Sequence, residues 1–190
     1  MKKFTLKLTG TRPLLMHNAR LVDRFDPIVR EMSALTSKRT KTDEDHEMIS
    51  HLEWQGGLYF DAEVGPYLPG DNVFKSLIEG ARKSKQGKQI EQGLLIETEV
   101  NPLAYKGPRD LEGLWGDANF VFRRAAKVGM AKVIRTRPVF RDWVTEVEGS
   151  FDETVLDPSD LAKIATVAGS LIGVGDWRPK HGRFIAEVTV

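Results

Sequence analysis

Ala168-Gly-Ser-Leu-Ile-Gly-Val-Gly-Asp-Trp-Arg-Pro-Lys-His-Gly-Arg-Phe-Ile-Ala-Glu-Val-Thr-Val190 is the stretch that decides the fold. It reads as a helix end, then a glycine-rich basic loop, then a terminal strand. Side chains alternate along a strand, so Phe184, Ala186, Val188 and Val190 share one face. Arg183, Ile185, Glu187 and Thr189 share the other. Gly173, Gly175 and Gly182 let the loop take left-handed turns or approach a partner closely. Trp177, Arg178, Lys180, His181 and Arg183 crowd into the same loop. Positive charge beside an aromatic ring suits a phosphate and a base. A helix cap followed by a surface turn has the same pattern.

Upstream, Asp157-Pro158-Ser159-Asp160 predicts the start of the last long helix, with Leu161, Ile164, Ala165, Ala168 and Leu171 on its buried side. Val139 to Val147 alternates as one strand, and Leu94 to Val100 reads as another. Asp71 is the expected cap of a helix whose apolar face carries Val73, Phe74, Leu77, Ile78 and Ala81. Lys3 to Leu8 is the first strand, with Phe4, Leu6 and Leu8 on one face. Between these lie two insertions. Residues 14–57 hold two helices, one opened by Asp26-Pro27 with Ile28, Met32 and Leu35 at helical spacing. The other is opened by Thr42 and carries Met48, Ile49 and Leu52. Residues 101–138 hold an irregular segment to Asn119 and then a basic hairpin arm around Gly129. Setting both aside leaves strand, helix, strand, strand, helix, strand. The expected fold is therefore α+β, a single domain over 1–190 with a ferredoxin-like (split βαβ) core. One face of its sheet is expected to stay free for a ligand.

Net charge is only +1, so the balance alone predicts no anionic partner. The distribution says more. Between Ala118 and Arg141 stand Arg123, Arg124, Lys127, Lys132, Arg135, Arg137 and Arg141, with no acid among them. A solvated hairpin normally mixes signs, and a neutral protein can still present a basic groove. There is no cysteine, which excludes a disulfide framework, thiolate chemistry and a zinc ribbon. No apolar run reaches membrane-span length, and Met1 to Thr5 enters strand alternation rather than a signal peptide. The expectation is a cytoplasmic protein with no cofactor.

Three stretches together carry a resemblance. Tyr67-Leu68-Pro69-Gly70-Asp71-Asn72-Val73-Phe74-Lys75-Ser76-Leu77 resembles the segment that opens the first helix in the RAMP superfamily, the repeat-associated proteins of CRISPR effector complexes. Gly169 to Gly182 resembles their C-terminal glycine-rich loop, although Asp176-Trp177-Arg178-Pro179 departs from its usual form. The core order with an inserted basic hairpin resembles the crRNA-binding backbone subunits. The pattern from Leu14-Leu15-Met16-His17 through Arg137-Pro138 to the loop also looks like small phage and prophage proteins. The resemblance implies a single-stranded nucleic-acid binder, RNA or DNA, that lines up head to tail along its ligand. If phage-encoded, it would act in the bacterial host cell. The implied contacts are Lys75, the arm residues Arg123, Arg124, Lys127, Lys132, Arg135 and Arg137, and the loop residues Trp177, Arg178, Lys180, His181 and Arg183. Trp177, Phe122, Phe140 and Trp143 are the candidate stacking surfaces, with a place in the core as the plainer role for each.

Two other roles stay open. Some RAMP proteins are metal-independent RNA endonucleases that use a histidine. His17, after the first strand, is the best-placed analogue, with Arg12 or Arg20 as the cation for the phosphate. A third possibility is a phage-encoded protein-binding or anti-defence factor whose arm meets an acidic surface. His46 and His51 are five apart, which is wrong for two metal ligands on one helical face, and the acids around them read as a charged helix start. Gly173-Val174-Gly175 lacks the lysine-serine ending of a phosphate-binding P-loop.

Overall fold

The computed structural model describes residues 1–190, apart from the side chains of Val128 and Ala131. In chain order the elements are β1 (Lys2–Gly10), β2 (Leu14–Leu15), α1 (Pro27–Thr36), α2 (Asp43–Gly57), β3 (Phe60–Asp61), β4 (Gly65–Pro69), α3 (Gly70–Arg82) and α4 (Gly87–Gly93). There follow β5 (Leu94–Ile96), β6 (Val100–Pro102), α5 (Leu111–Gly116), β7 (Val121–Val128), β8 (Ala131–Phe140), β9 (Val144–Phe151), α6 (Pro158–Val167) and β10 (Phe184–Thr189). The protein is mixed α+β with antiparallel sheets. No helix among the described residues is long and apolar enough to cross a membrane. The chain forms two compact units. One comprises Met1–Leu14, Phe60–Lys106 and Arg141–Val190, and the other Leu15–Tyr59 and Gly107–Phe140.

The first unit is built on a four-stranded sheet in the order β10-β1-β9-β5, antiparallel throughout. Phe4, Leu6 and Leu8 of β1 are buried, as are Val147 and Phe151 of β9. Leu6 lies opposite Val147, so their apolar sides share one face. Helices α3 and α6 supply the other half of this core with Val73, Leu77, Ala81, Leu161, Ile164 and Ala165. Asp157 caps α6, its carboxylate accepting from the Ser159 amide at 2.7 Å. The opposite sheet face, expected to be a ligand platform, pairs Thr5 with Glu148, Lys7 with Glu146 and Lys7 with Glu187. Its acids outnumber its bases at these positions, which disfavours a phosphate backbone.

Three boundaries differ from the sequence expectation. Helix α3 starts at Gly70 behind Pro69, and Asp71 sits inside the first turn. A side chain at Gly70 would strike the Thr98 carbonyl, so β4 runs straight into the helix. Its Asp71 charge then acts on the helix dipole rather than as a cap. Leu94 to Val100 is two strands. Leu94–Ile96 pairs with β9 and Val100–Pro102 with β4. The bend is fixed by buried Asn101, whose amide donates to Leu68 O at 2.9 Å and Thr98 O at 3.0 Å. Val139 to Val147 is likewise broken, at 141–143. Trp143 is buried there, with its indole N–H donating to Arg12 O at 3.0 Å and its ring filling the space a Gly10 side chain would need.

In the second unit, α2 begins with a reciprocal cap. The Thr42 hydroxyl accepts from the Asp45 amide at 3.2 Å and the Asp45 carboxylate accepts from the Thr42 amide at 3.1 Å. Its buried side carries Leu52, Glu53, Trp54, Gly56 and Gly57. Trp54 donates its indole N–H to Phe120 O at 3.0 Å, which satisfies its polar edge inside the core. Phe120 stacks edge-on against Phe140 at 5.6 Å. The segment before this hairpin, expected to be irregular, contains the short helix α5 capped by Asp110. Strands β7 and β8 form the expected hairpin turning at Gly129, whose φ of 59° is the left-handed value glycine tolerates.

Candidate nucleic-acid interface

The hairpin register decides what its charges meet. Arg124 lies directly opposite Arg135, and Lys127 directly opposite Lys132. Like charges in facing positions destabilise an antiparallel pair. One of these clashes is relieved internally. Glu53, buried in α2, accepts from Arg137 at 2.8 Å, from Arg135 at 3.2 Å and from the Thr136 amide at 2.9 Å. Arg137 is 6% exposed. It was expected to meet a ligand, and its guanidinium is instead consumed in holding α2 to β8. Arg123, Arg124, Lys127 and Lys132 remain exposed.

At the root of the hairpin lies a cavity of about 660 Å³. Glu44, Glu47, Met48 and His51 line one wall. They fall at i, i+3, i+4 and i+7 of α2, one stripe of a helix. Trp115 of α5 and Arg123 of β7 line the other side. His51 lies 4.7 Å from the Trp115 ring, which in turn sits 5.4 Å from Trp54. A hydrogen bond from the Thr42 hydroxyl holds the Glu44 carboxyl below its usual range, so it is ionised at neutral pH. Met48 is 43% exposed here. Sequence reading missed Trp115 and weighed His51 only as a metal ligand. The signal was the i, i+3, i+4, i+7 stripe, obscured because its acids look like an ordinary helix start.

In the first unit, the C-terminal loop turns its charges inward. The Arg178 guanidinium donates to both Glu79 carboxylate oxygens and to Gly173 O, each at 3.4 Å. Arg183 donates to Pro179 O at 2.8 Å. His181 is buried, its ring 6.3 Å from Trp177. Of these three, all expected to meet a ligand, Arg178 and Arg183 brace the loop through these bonds and His181 lies buried within it. Lys180 is exposed, as is Lys75 on α3. Trp177 is half-buried at φ 53° and lines a smaller hollow with Asp176 and the Arg178–Glu79 ion pair. Phe140 and Trp143, expected as possible stackers, are core side chains at 1% and 2% exposure. Phe122 is half-buried.

Gly182 closes this loop. Its carbonyl accepts from the Val174 amide at 2.9 Å and its amide donates to Pro13 O at 2.8 Å. At φ 70°, an added side chain would collide with the Val174 carbonyl. Gly182→Ala is expected to destabilise the protein by about 2 kcal/mol or more, from left-handed strain plus the clash. Urea unfolding checks this, and an unchanged midpoint would count against the loop's structural role.

His17, the candidate catalytic histidine, is exposed. Arg20, one of the two arginines expected to bind the phosphate beside it, is engaged by Asp26 at 2.8 Å. No group of three or more metal-ligating side chains occurs among the described residues. No protein-family model matches the chain, and no curated protein matches it.

Proposed function

We propose that the chain is a single-stranded nucleic-acid-binding protein that contacts its ligand through the β7–β8 hairpin and the cavity at its root. The observation that carries this is the facing pair Lys127 and Lys132, with Arg123 and Arg124 also exposed, on a hairpin without an acid of its own. Such a hairpin keeps its charges apart only at a cost, which phosphates would offset by replacing repulsion with attraction. A RAMP-type, ferredoxin-like core belongs to the same proposal. The strand order β10-β1-β9-β5, with α3 and α6 in the two crossovers, supports it. Copies arranged head to tail along the strand are part of the same proposal. The acidic open sheet face favours the hairpin as the contact surface over the sheet.

The test is a salt titration of binding to single-stranded RNA, single-stranded DNA and duplex. Affinity is expected to fall linearly on a log–log plot with a slope of several units, steeper the more phosphates are met. Single strands should bind more tightly than duplex. Affinity for none of the three, or affinity indifferent to salt, would defeat the proposal.

A further inference from the structure

We infer that the cavity beside α2 takes one unstacked base of the bound strand and prefers a base bearing an amino group to uracil or thymine. The inference rests on the nucleic-acid reading above and adds a base-reading subsite to it. The cavity's 660 Å³ falls in the range of small-ligand sites and exceeds what one base requires. Trp115, buttressed by Trp54 and His51, presents an aromatic wall on which any base stacks. Arg123 lines the same cavity, so a cation is available there for the phosphate joined to the base. The remaining polar groups are Glu44 and Glu47. Ionised carboxylates only accept hydrogen bonds. They suit the exocyclic amines of cytosine and adenine and the N1–H and N2 amine of guanine. Uracil and thymine offer one N3–H between two carbonyl oxygens, which a carboxylate repels. The same carboxylates disfavour a phosphate inside the cavity. A cationic side chain from a protein partner would also meet acids and a ring, but Arg123 in the same lining opposes it.

The experiment measures affinities of the full chain for short homopolymers of A, C and U, at two salt concentrations. Wild type, Trp115→Ala and Glu44→Gln/Glu47→Gln are compared. Wild type should favour A and C over U by about five-fold or more. The double glutamine variant should lose that preference, with A and C binding more weakly and U more tightly than in wild type, because a glutamine amide donates to the carbonyl oxygens that a carboxylate repels; both positions are exposed. Trp115→Ala should bind every homopolymer more weakly by about five-fold or more with its salt slope unchanged, because stacking releases few counterions. Trp115→Phe, which keeps a ring, should restore most of that loss and separates stacking from folding. Salt-dependent binding with no base preference, unmoved by the glutamine variant, overturns the subsite and leaves the nucleic-acid reading standing. A basic peptide that binds wild type but not the glutamine variant, with no base preference in the oligonucleotides, overturns it in favour of a protein segment. Absence of oligonucleotide binding removes both readings.

Discussion

Replacing Arg123, Arg124, Lys127 and Lys132 with glutamine is expected to cost at least about a hundred-fold in affinity for single-stranded nucleic acid. Hydrogen bonds to charged groups are each worth about 1.5–3 kcal/mol before solvent screening reduces them, and four are lost together. The log–log salt slope should flatten by roughly 0.7 per lost phosphate contact. The loss should be nearly the same for every sequence, because phosphate contacts carry no base information. A second readout separates binding from structure. Lys127 faces Lys132 with no acid on the hairpin, so removing these charges relieves repulsion. The variant should melt at the same temperature as wild type or slightly higher. A large loss of stability would mean that the four cations hold the fold. An unchanged salt slope would mean that they do not meet phosphate.

Glu53→Gln is expected to destabilise the protein by about 3–5 kcal/mol, the usual cost of stranding one member of a buried ion pair. Glu53 and Arg137 side chains are 7% and 8% exposed, and the carboxylate also accepts from the Thr136 amide. Arg135 is 36% exposed and contributes less, since water screens it. Removing both charges with Glu53→Gln/Arg137→Met should recover much of the loss, because no buried charge is then left without a counter-ion. Chemical denaturation of the two single variants and the double variant gives the coupling. A loss below about 1 kcal/mol for Glu53→Gln would show that water reaches the pair and that α2 is held to β8 mainly by packing. The arrangement also explains a division of labour on one hairpin. Arg135 and Arg137 are neutralised from within, and Arg123, Arg124, Lys127 and Lys132 stay exposed.

Local pattern carried a good deal of this protein. Alternation in Lys3 to Leu8 and Phe184 to Val190 identified β1 and β10, because strand faces have a period of two whatever their partners. Asp26-Pro27, Thr42 and Asp157-Pro158 marked helix starts, because a cap satisfies amides within a few residues of itself. The run of seven cations without an acid was visible as plain composition. What the sequence could not determine was the partner of each charge. Arg137 is used up by Glu53 across 84 positions, and Arg178 by Glu79 across 99. Arg123 and Arg124 stay exposed, although all four read alike along the chain. Aromatic roles sorted in the same way. Trp143 went to the core by donating to Arg12 O, whereas Trp115, unremarked beside its glycines, became a cavity wall through its contact with His51. Helix caps and strand faces depend on near neighbours, which sequence states directly. The fate of a guanidinium or an indole depends on which distant segment the fold brings beside it, and only the tertiary structure supplies that neighbour.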